Sequence, residues 1–143
     1  MNICDYIINN KLPYRIVDGK MEQVGSLNLS NKNISSLDGF IQNGHLYLSS
    51  NQISSLDGFI QNGDLFLGNN QISSLDGFIQ NGDLFLSNNQ ISSLVGFIHN
   101  GHLDLDNNQI SSFEGFKSNG GSLYLLNNPI YNIFYLYTFI TIN

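Results

Sequence analysis

The chain has 143 residues, of which 41% are hydrophobic and 11% charged, and its formal net charge is −6. The length suits one domain with its own core, and the apolar content excludes a compositionally disordered chain. Only five Lys and Arg stand against eleven Asp and Glu. That balance excludes a surface that tracks a nucleic-acid backbone or an anionic membrane, since both need clustered cations.

The first segment, MNICDYIINN, has neither a basic start nor a long apolar run, so it does not read as a signal peptide. A short helix over Met1–Asn10 is expected, packing Ile3, Tyr6 and Ile7 against the rest of the chain. Cys4 is the single cysteine, which rules out an intrachain disulfide. A cytoplasmic, intracellular location is the expectation. The next segment, PYRIVDGKMEQVGS, places Asp18-Gly19 between two alternating runs. Asp-Gly in that setting is a hairpin signal, so Tyr14–Val17 is expected to pair with Lys20–Gln23. Residues 1–26 then form an N-terminal cap.

From Leu27 the chain repeats itself. LNLSNKNISSLDGFIQNGH is followed by near-copies starting at Leu46, Leu65, Leu84 and Leu103, and by a partial copy, LYLLNNPIYNI, at Leu123. The period is 19, with one extra glycine in the fifth copy at Gly120-Gly121. Counting each leucine start as position 1, apolar residues recur at positions 1, 3, 8 and 11, with Phe at 14. Positions 1 and 3 around a variable position 2 read as a short strand. Asn at 6, Gly at 13 and Asn-Gly at 17–18 read as turns. A coil this short has no room for a regular helix of three turns. One coil cannot bury its own apolar side, but stacked coils can.

The pattern LxLxxNxIxxL, in register over residues 27–133, resembles the leucine-rich repeat family, and its short period resembles short-repeat members from bacteria, phages and large DNA viruses. The resemblance implies a leucine-rich repeat solenoid of the α/β-horseshoe family, here β-rich, with a parallel sheet on a concave face. It implies an extended or 3-10 convex side, and a host-cell cytoplasm as the location if the chain is viral. The expected organisation is a single domain, 1–143, with a hairpin cap at 1–26, six coils over 27–133 and an aromatic C-terminal cap at 134–143. Tyr137–Ile142 is either a closing strand or an edge that pairs with another subunit, making the chain a monomer or a homodimer through an end cap.

Within such coils Asn51, Asn70, Asn89, Asn108 and Asn128 are expected to form a buried ladder, because an amide both donates and accepts. Lys32 breaks that ladder and should point outward from an irregular first coil. Phe40, Phe59, Phe78, Phe97 and Phe116 should form a continuous buried spine. Asp38, Asp57 and Asp76, each before Gly-Phe, are expected to cap turns. Gln42, Gln61 and Gln80 are expected at the surface.

The outward strand positions carry the chemistry. The column at position 2 includes Tyr47, Phe66, Phe85, Asp104 and Tyr124; the preceding column includes His45, Asp64, Asp83 and His102. Exposed aromatics side by side suit a contact surface and also stabilise neighbouring strands. Asp64 and Asp83 would repel unless a cation or a protonated histidine lies beside them, and His45 and His102 flank them. His102 and Asp104 could chelate one metal ion. Asp106, roughly 13 Å along the strand from His102, lies too far to share it. No serine is singled out beside a His and an acid, and no phosphate-binding glycine loop occurs. No catalysis and no cofactor are expected. The function expected is a non-enzymatic protein-binding module contacting an unknown protein partner through Tyr47, Phe66, Phe85, Asp64, Asp83, Asp104 and Tyr124. The alternatives are a self-associating structural solenoid and, less favoured, a metal site at His102 and Asp104.

Overall fold

The computed structural model describes residues 1–130. The coil end at 133, the cap at 134–143 and the strand over Tyr137–Ile142 therefore lie outside the described residues. In chain order the elements are α1 (Ile3–Asn9), β1 (Arg15–Val17), β2 (Lys20–Val24), β3 (Leu27–Asn28), β4 (Phe40–Asn43), β5 (Leu46–Tyr47) and β6 (Ile60–Gln61). They continue with β7 (Leu65–Phe66), β8 (Leu84–Phe85), β9 (Ile98–His99), β10 (Leu103–Asp104), β11 (Lys117–Ser118) and β12 (Leu123–Tyr124).

These elements wind into a parallel β-solenoid. A front sheet stacks β3, β5, β7, β8, β10 and β12 in that order, all parallel. Its register pairs Leu27 with Leu46, Leu46 with Leu65, Leu65 with Leu84 and Leu84 with Leu103, one period apart. Leu103 pairs with Leu123, so the extra glycine is absorbed in the corner before β12. The return leg of each coil is also extended. It builds a back sheet from β1, β2, β4 and β6, extended by a Gln61–Gln80 bridge, and a separate β9–β11 pair.

Both expected N-terminal elements form. Asp18 and Gly19 take φ of 50° and 77°, the left-handed pair that a two-residue hairpin turn needs, and β1 pairs antiparallel with β2. Strand β2 then runs parallel to β4, with Met21 opposite Phe40 and Gln23 opposite Gln42. Met21 and Gln23 are both buried. The hairpin thus continues the repeat backwards, supplying half a coil with Met in the Phe slot. In α1, Asn2 accepts the Cys4 backbone N–H at 2.7 Å as an N-cap, and Ile3 and Ile7 are buried in the core cluster.

The repeat leucines, isoleucines and phenylalanines form one continuous core. The rings of Phe40, Phe59 and Phe78 stack at 6.2 and 6.1 Å between centroids. The spine is not buried to its end: Phe116 stacks on Phe97 at 6.3 Å but is only half-buried, as are Phe113, Leu123 and Leu125. These residues sit in the last described coils.

Three corners close each coil. At the first, Ser50, Asn69, Asn88, Asn107 and Asn127 hold φ between 56° and 58°, a conformation that asparagine tolerates better than most residues. The next asparagine is the buried ladder residue. Lys32 interrupts it and is exposed, and its coil carries an extra left-handed residue, Asn33 at φ 57°.

The second corner corrects the reading of the aspartates. The oxygen that caps it belongs to the serine two residues earlier. Ser55 Oγ accepts the Asp57 N–H at 3.0 Å and Ser74 Oγ accepts that of Asp76 at 3.0 Å. Val95 keeps the same turn through Ser93 at 3.2 Å, with no carboxylate present. The third corner needs glycine for close approach: a Cβ on Gly82 would lie 2.5 Å from the Gly63 carbonyl oxygen, and one on Gly63 would lie 2.6 Å from that of Gly44.

Candidate functional site: the outer face of the front sheet

Alternation in the two-residue strands sends leucine inward and its neighbour outward. The register lines the outward neighbours up as Asn28, Tyr47, Phe66, Phe85, Asp104 and Tyr124. Tyr47 stacks on Phe66 and Phe66 on Phe85, each pair at 4.5 Å between centroids, with planes 8° and 2° from parallel. The rings are half-buried because each covers the face of the next. Their edges, not their faces, meet solvent. A ligand that must lie flat on an aromatic face finds only the two ends of the stack. Branched apolar side chains that wedge against ring edges fit its length.

The neighbouring column is a relay of backbone caps. Asp64 Oδ1 accepts the Asp83 N–H at 2.9 Å, Asp83 Oδ1 accepts the His102 N–H at 2.9 Å, and His102 Nδ1 accepts the Ser122 N–H at 3.0 Å. Each side chain thereby satisfies the same backbone position one coil on. The two flanking histidines sit differently against the carboxylates. His45 Nδ1 lies 3.1 Å from Asp64 Oδ2 and 3.2 Å from the Asp64 backbone nitrogen. A protonated Nδ1 donates to the carboxylate and a bare one accepts from the backbone, so the two contacts exclude each other. His102 uses its Nδ1 as an acceptor, so it does not pair with Asp83 as a cation through that atom.

The triplet of His102, Asp104 and Asp106 is tied down in the same way. Asp104 Oδ1 accepts the Asp106 N–H at 3.0 Å and Asp106 Oδ1 accepts the Leu126 N–H at 2.7 Å. Among the described residues no three His, Cys, Asp or Glu side chains converge as a metal-binding group. Nor does any Lys or Arg lie on the front sheet. Lys11 follows α1, Arg15 and Lys20 lie on the hairpin, Lys32 on a corner and Lys117 on β11. The structure thus brings Tyr47, Phe66 and Phe85 together and sets Asp64 and Asp83 beside them, while Asp104 and Tyr124 continue the column past the stack.

Gln42, Gln61 and Gln80 are a correction: they are 0%, 1% and 1% exposed, not at the surface. Gln80 Nε2 donates to the Gly63 carbonyl at 2.6 Å and Gln61 Nε2 to that of Gly44 at 2.8 Å. His99 takes the same slot one coil on, fully buried, with Nε2 3.0 Å from the His102 carbonyl oxygen. The nitrogen facing a carbonyl carries the proton, so Nδ1 is bare, and burial pushes the imidazole's pKa down. The signal was present in the sequence. In Phe-Ile-Gln an extended leg puts Phe and Gln on one side and Ile on the other. The same alternation exposes Ile60, Ile79 and Ile98 on the back sheet.

Compared with known protein families, curated proteins and solved structures, the chain matches none. Its architecture, a parallel solenoid of about 19 residues per turn, rests on its own geometry. Among the described residues no helix is long and apolar enough to cross a membrane.

Proposed function

We propose that this chain is a non-enzymatic protein-binding module, a short-repeat leucine-rich solenoid whose front sheet is presented to a partner protein. The contacts are Tyr47, Phe66, Phe85, Asp64, Asp83, Asp104 and Tyr124. One observation carries the reading: the copies at Leu27, Leu46 and Leu65 are identical over ISSLDGFIQNG and differ in the front strand and its flanks, where Tyr47 and Phe66, with Phe85 of the next copy, stack beside carboxylates with no Lys or Arg among them. Burial of Gln42, Gln61 and Gln80 strengthens the contrast. In the identical stretch ISSLDGFIQNG the first Ile, the Leu, the Phe and the Gln are held by burial and the last Gly by close approach.

The complementary partner offers branched apolar side chains to the ring edges and Lys or Arg to the outward carboxylate oxygens. The leucine-rich repeat pattern supports the same reading by analogy of fold. The test is capture of a partner from the native host by the full chain and by Phe66→Ala/Phe85→Ala. The double variant is expected to keep its circular dichroism and lose capture; retained capture overturns the assignment. Asp64→Asn/Asp83→Asn keeps the amide oxygen as an acceptor while removing charge. Its capture should weaken, and become less sensitive to salt.

A further inference from the structure

The back sheet carries a second ordered surface that the front-face reading does not use. Its outward column runs Ile41, Ile60, Ile79 and Ile98 at the repeat period, and exposed Lys117 follows Ile98 in register at its end. Ile79 is 74% exposed and Ile98 50%. At about 4.8 Å per coil, four β-branched side chains form a ridge about 14 Å long. Shallow clefts of about 390 and 330 Å³ separate successive rungs, between Ile60 and Ile79 and between Ile79 and Ile98. Nothing in core packing requires the exposed Ile60, Ile79 and Ile98 to stay isoleucine, yet four of the five full copies keep it, and the fifth has Lys117 there.

The flanks say what fits against the ridge. The chain crosses the stacking axis, so residues before and after each isoleucine lie on opposite sides of the column. On the side before it are Asp38, Asp57 and Asp76, exposed, with carboxylates in no ion pair among the described residues. On the side after it are Asn62, Asn81 and Asn100, exposed amides. Two copies face to face, related by a two-fold axis along the solenoid, put isoleucine against isoleucine and each aspartate row against the partner's asparagine row. Carboxylates then meet amide donors on both flanks. Reversing one copy sets aspartate against aspartate, which like charges oppose.

We propose that the back face is a self-association surface on which two copies of this chain pair in parallel through Ile41, Ile60, Ile79 and Ile98. This inference does not rest on the front-face function. The face is smaller than the roughly 800 Å² per partner of a standard interface, so the dimer is concentration-dependent rather than permanent.

Sedimentation of the full chain over a range of concentrations tests it. The weight-average mass should rise from 16.0 kDa towards twice that value. Ile79→Asp, at an exposed position, should hold the monomer mass with an unchanged melting temperature. A wild-type chain that stays monomeric at every concentration, with the face open or covered by another protein, overturns the proposal. So does undiminished association of Ile79→Asp. Phe66→Ala/Phe85→Ala should associate normally, which separates this surface from the front one; loss of association there alone overturns it too. In a Cys4→Ser background, Ile60→Cys and Ile98→Cys should each form disulfide-linked dimers with themselves. Cross-linking only between the two variants when mixed would mean an antiparallel pair and overturn the parallel arrangement.

Discussion

Two columns of buried amides run along this solenoid, and they are satisfied to different degrees. In the asparagine column, Asn89 Nδ2 donates to the carbonyls of Leu86 and Leu67, both at 3.0 Å, and Asn89 Oδ1 accepts the Ile72 N–H at 3.0 Å. One side chain closes three backbone groups across two coils. In the glutamine column, Gln80 Nε2 serves the Gly63 and Asp83 carbonyls, but the Oε1 atoms of Gln42, Gln61 and Gln80 are buried and find no hydrogen-bond partner among the described residues. His99 Nδ1 continues that row of unpaired acceptors. Both columns tie coil to coil, yet a full amide ladder rigidifies a corner more than a half-paired one. The asparagine corner is therefore the stronger staple, and the glutamine leg is the one more tolerant of change.

Apolar truncation sets the upper end of the scale. Phe78, two residues before Gln80 on the same leg, is 6% exposed, and Phe78→Ala is expected to destabilise by about 3–5 kcal/mol. Chemical denaturation measures it; a loss below about one kcal/mol would contradict a packed spine. Asn89→Leu comes next. It strands three buried backbone groups at about 1–3 kcal/mol each, not fully additive, so a loss of about 3 kcal/mol is expected. Gln80→Leu strands two carbonyls but also removes an unpaired acceptor, and about 1 kcal/mol is expected. If the glutamine substitution proved as damaging as the asparagine one, the contrast between the columns would be wrong.

The smallest effect is on pH dependence. Burial lowers the His99 pKa; the hydrogen bond to the His102 backbone carbonyl and the nearby Asp83 carboxylate oppose that shift, and the His102 side chain adds to it. The unfolded imidazole, with a pKa of about 6.5, binds protons that the folded one refuses. Stability should therefore be full above that value and decline as pH falls below it. His99→Gln restores the residue of the other copies and should flatten that part of the melting-temperature profile. Glu22 acts lower on the scale: the Arg15 guanidinium, bonded to both its oxygens at 2.9 and 2.8 Å, holds its carboxyl below the usual range. Its contribution is lost only as pH falls through that depressed value.

The residues that were legible are those whose role is set within one repeat. Leu65, Ile72 and Phe78 recur as apolar positions, and a short coil leaves them nowhere but inside. Asn70 was legible because a chain turning inward after a strand needs an amide. The hairpin was legible from Asp18-Gly19. Other roles depend on what stands beside a residue one coil away. Asp83 reads as half of a repelling acidic pair, yet its Oδ1 is the cap of the His102 N–H. Asp57 reads as a turn cap, yet Ser55 takes that place. Gln61 is polar and next to a turn, which favours the surface, yet the strand alternation that buries Phe59 buries it too.

The sequence by itself determined the period, the stacking of coils, the inward leucines and the asparagine ladder. It could do so because a repeat of fixed length must superpose its own copies, and superposed apolar positions have one way to leave water. Only the tertiary structure decided that the return leg is a second sheet, that Met21 and Gln23 extend the repeat into the hairpin, and that three aromatic rings turn edge-on to solvent. Those outcomes depend on contacts between successive coils at sheet spacing, where ring faces, carbonyls and carboxylates meet partners that no single copy contains.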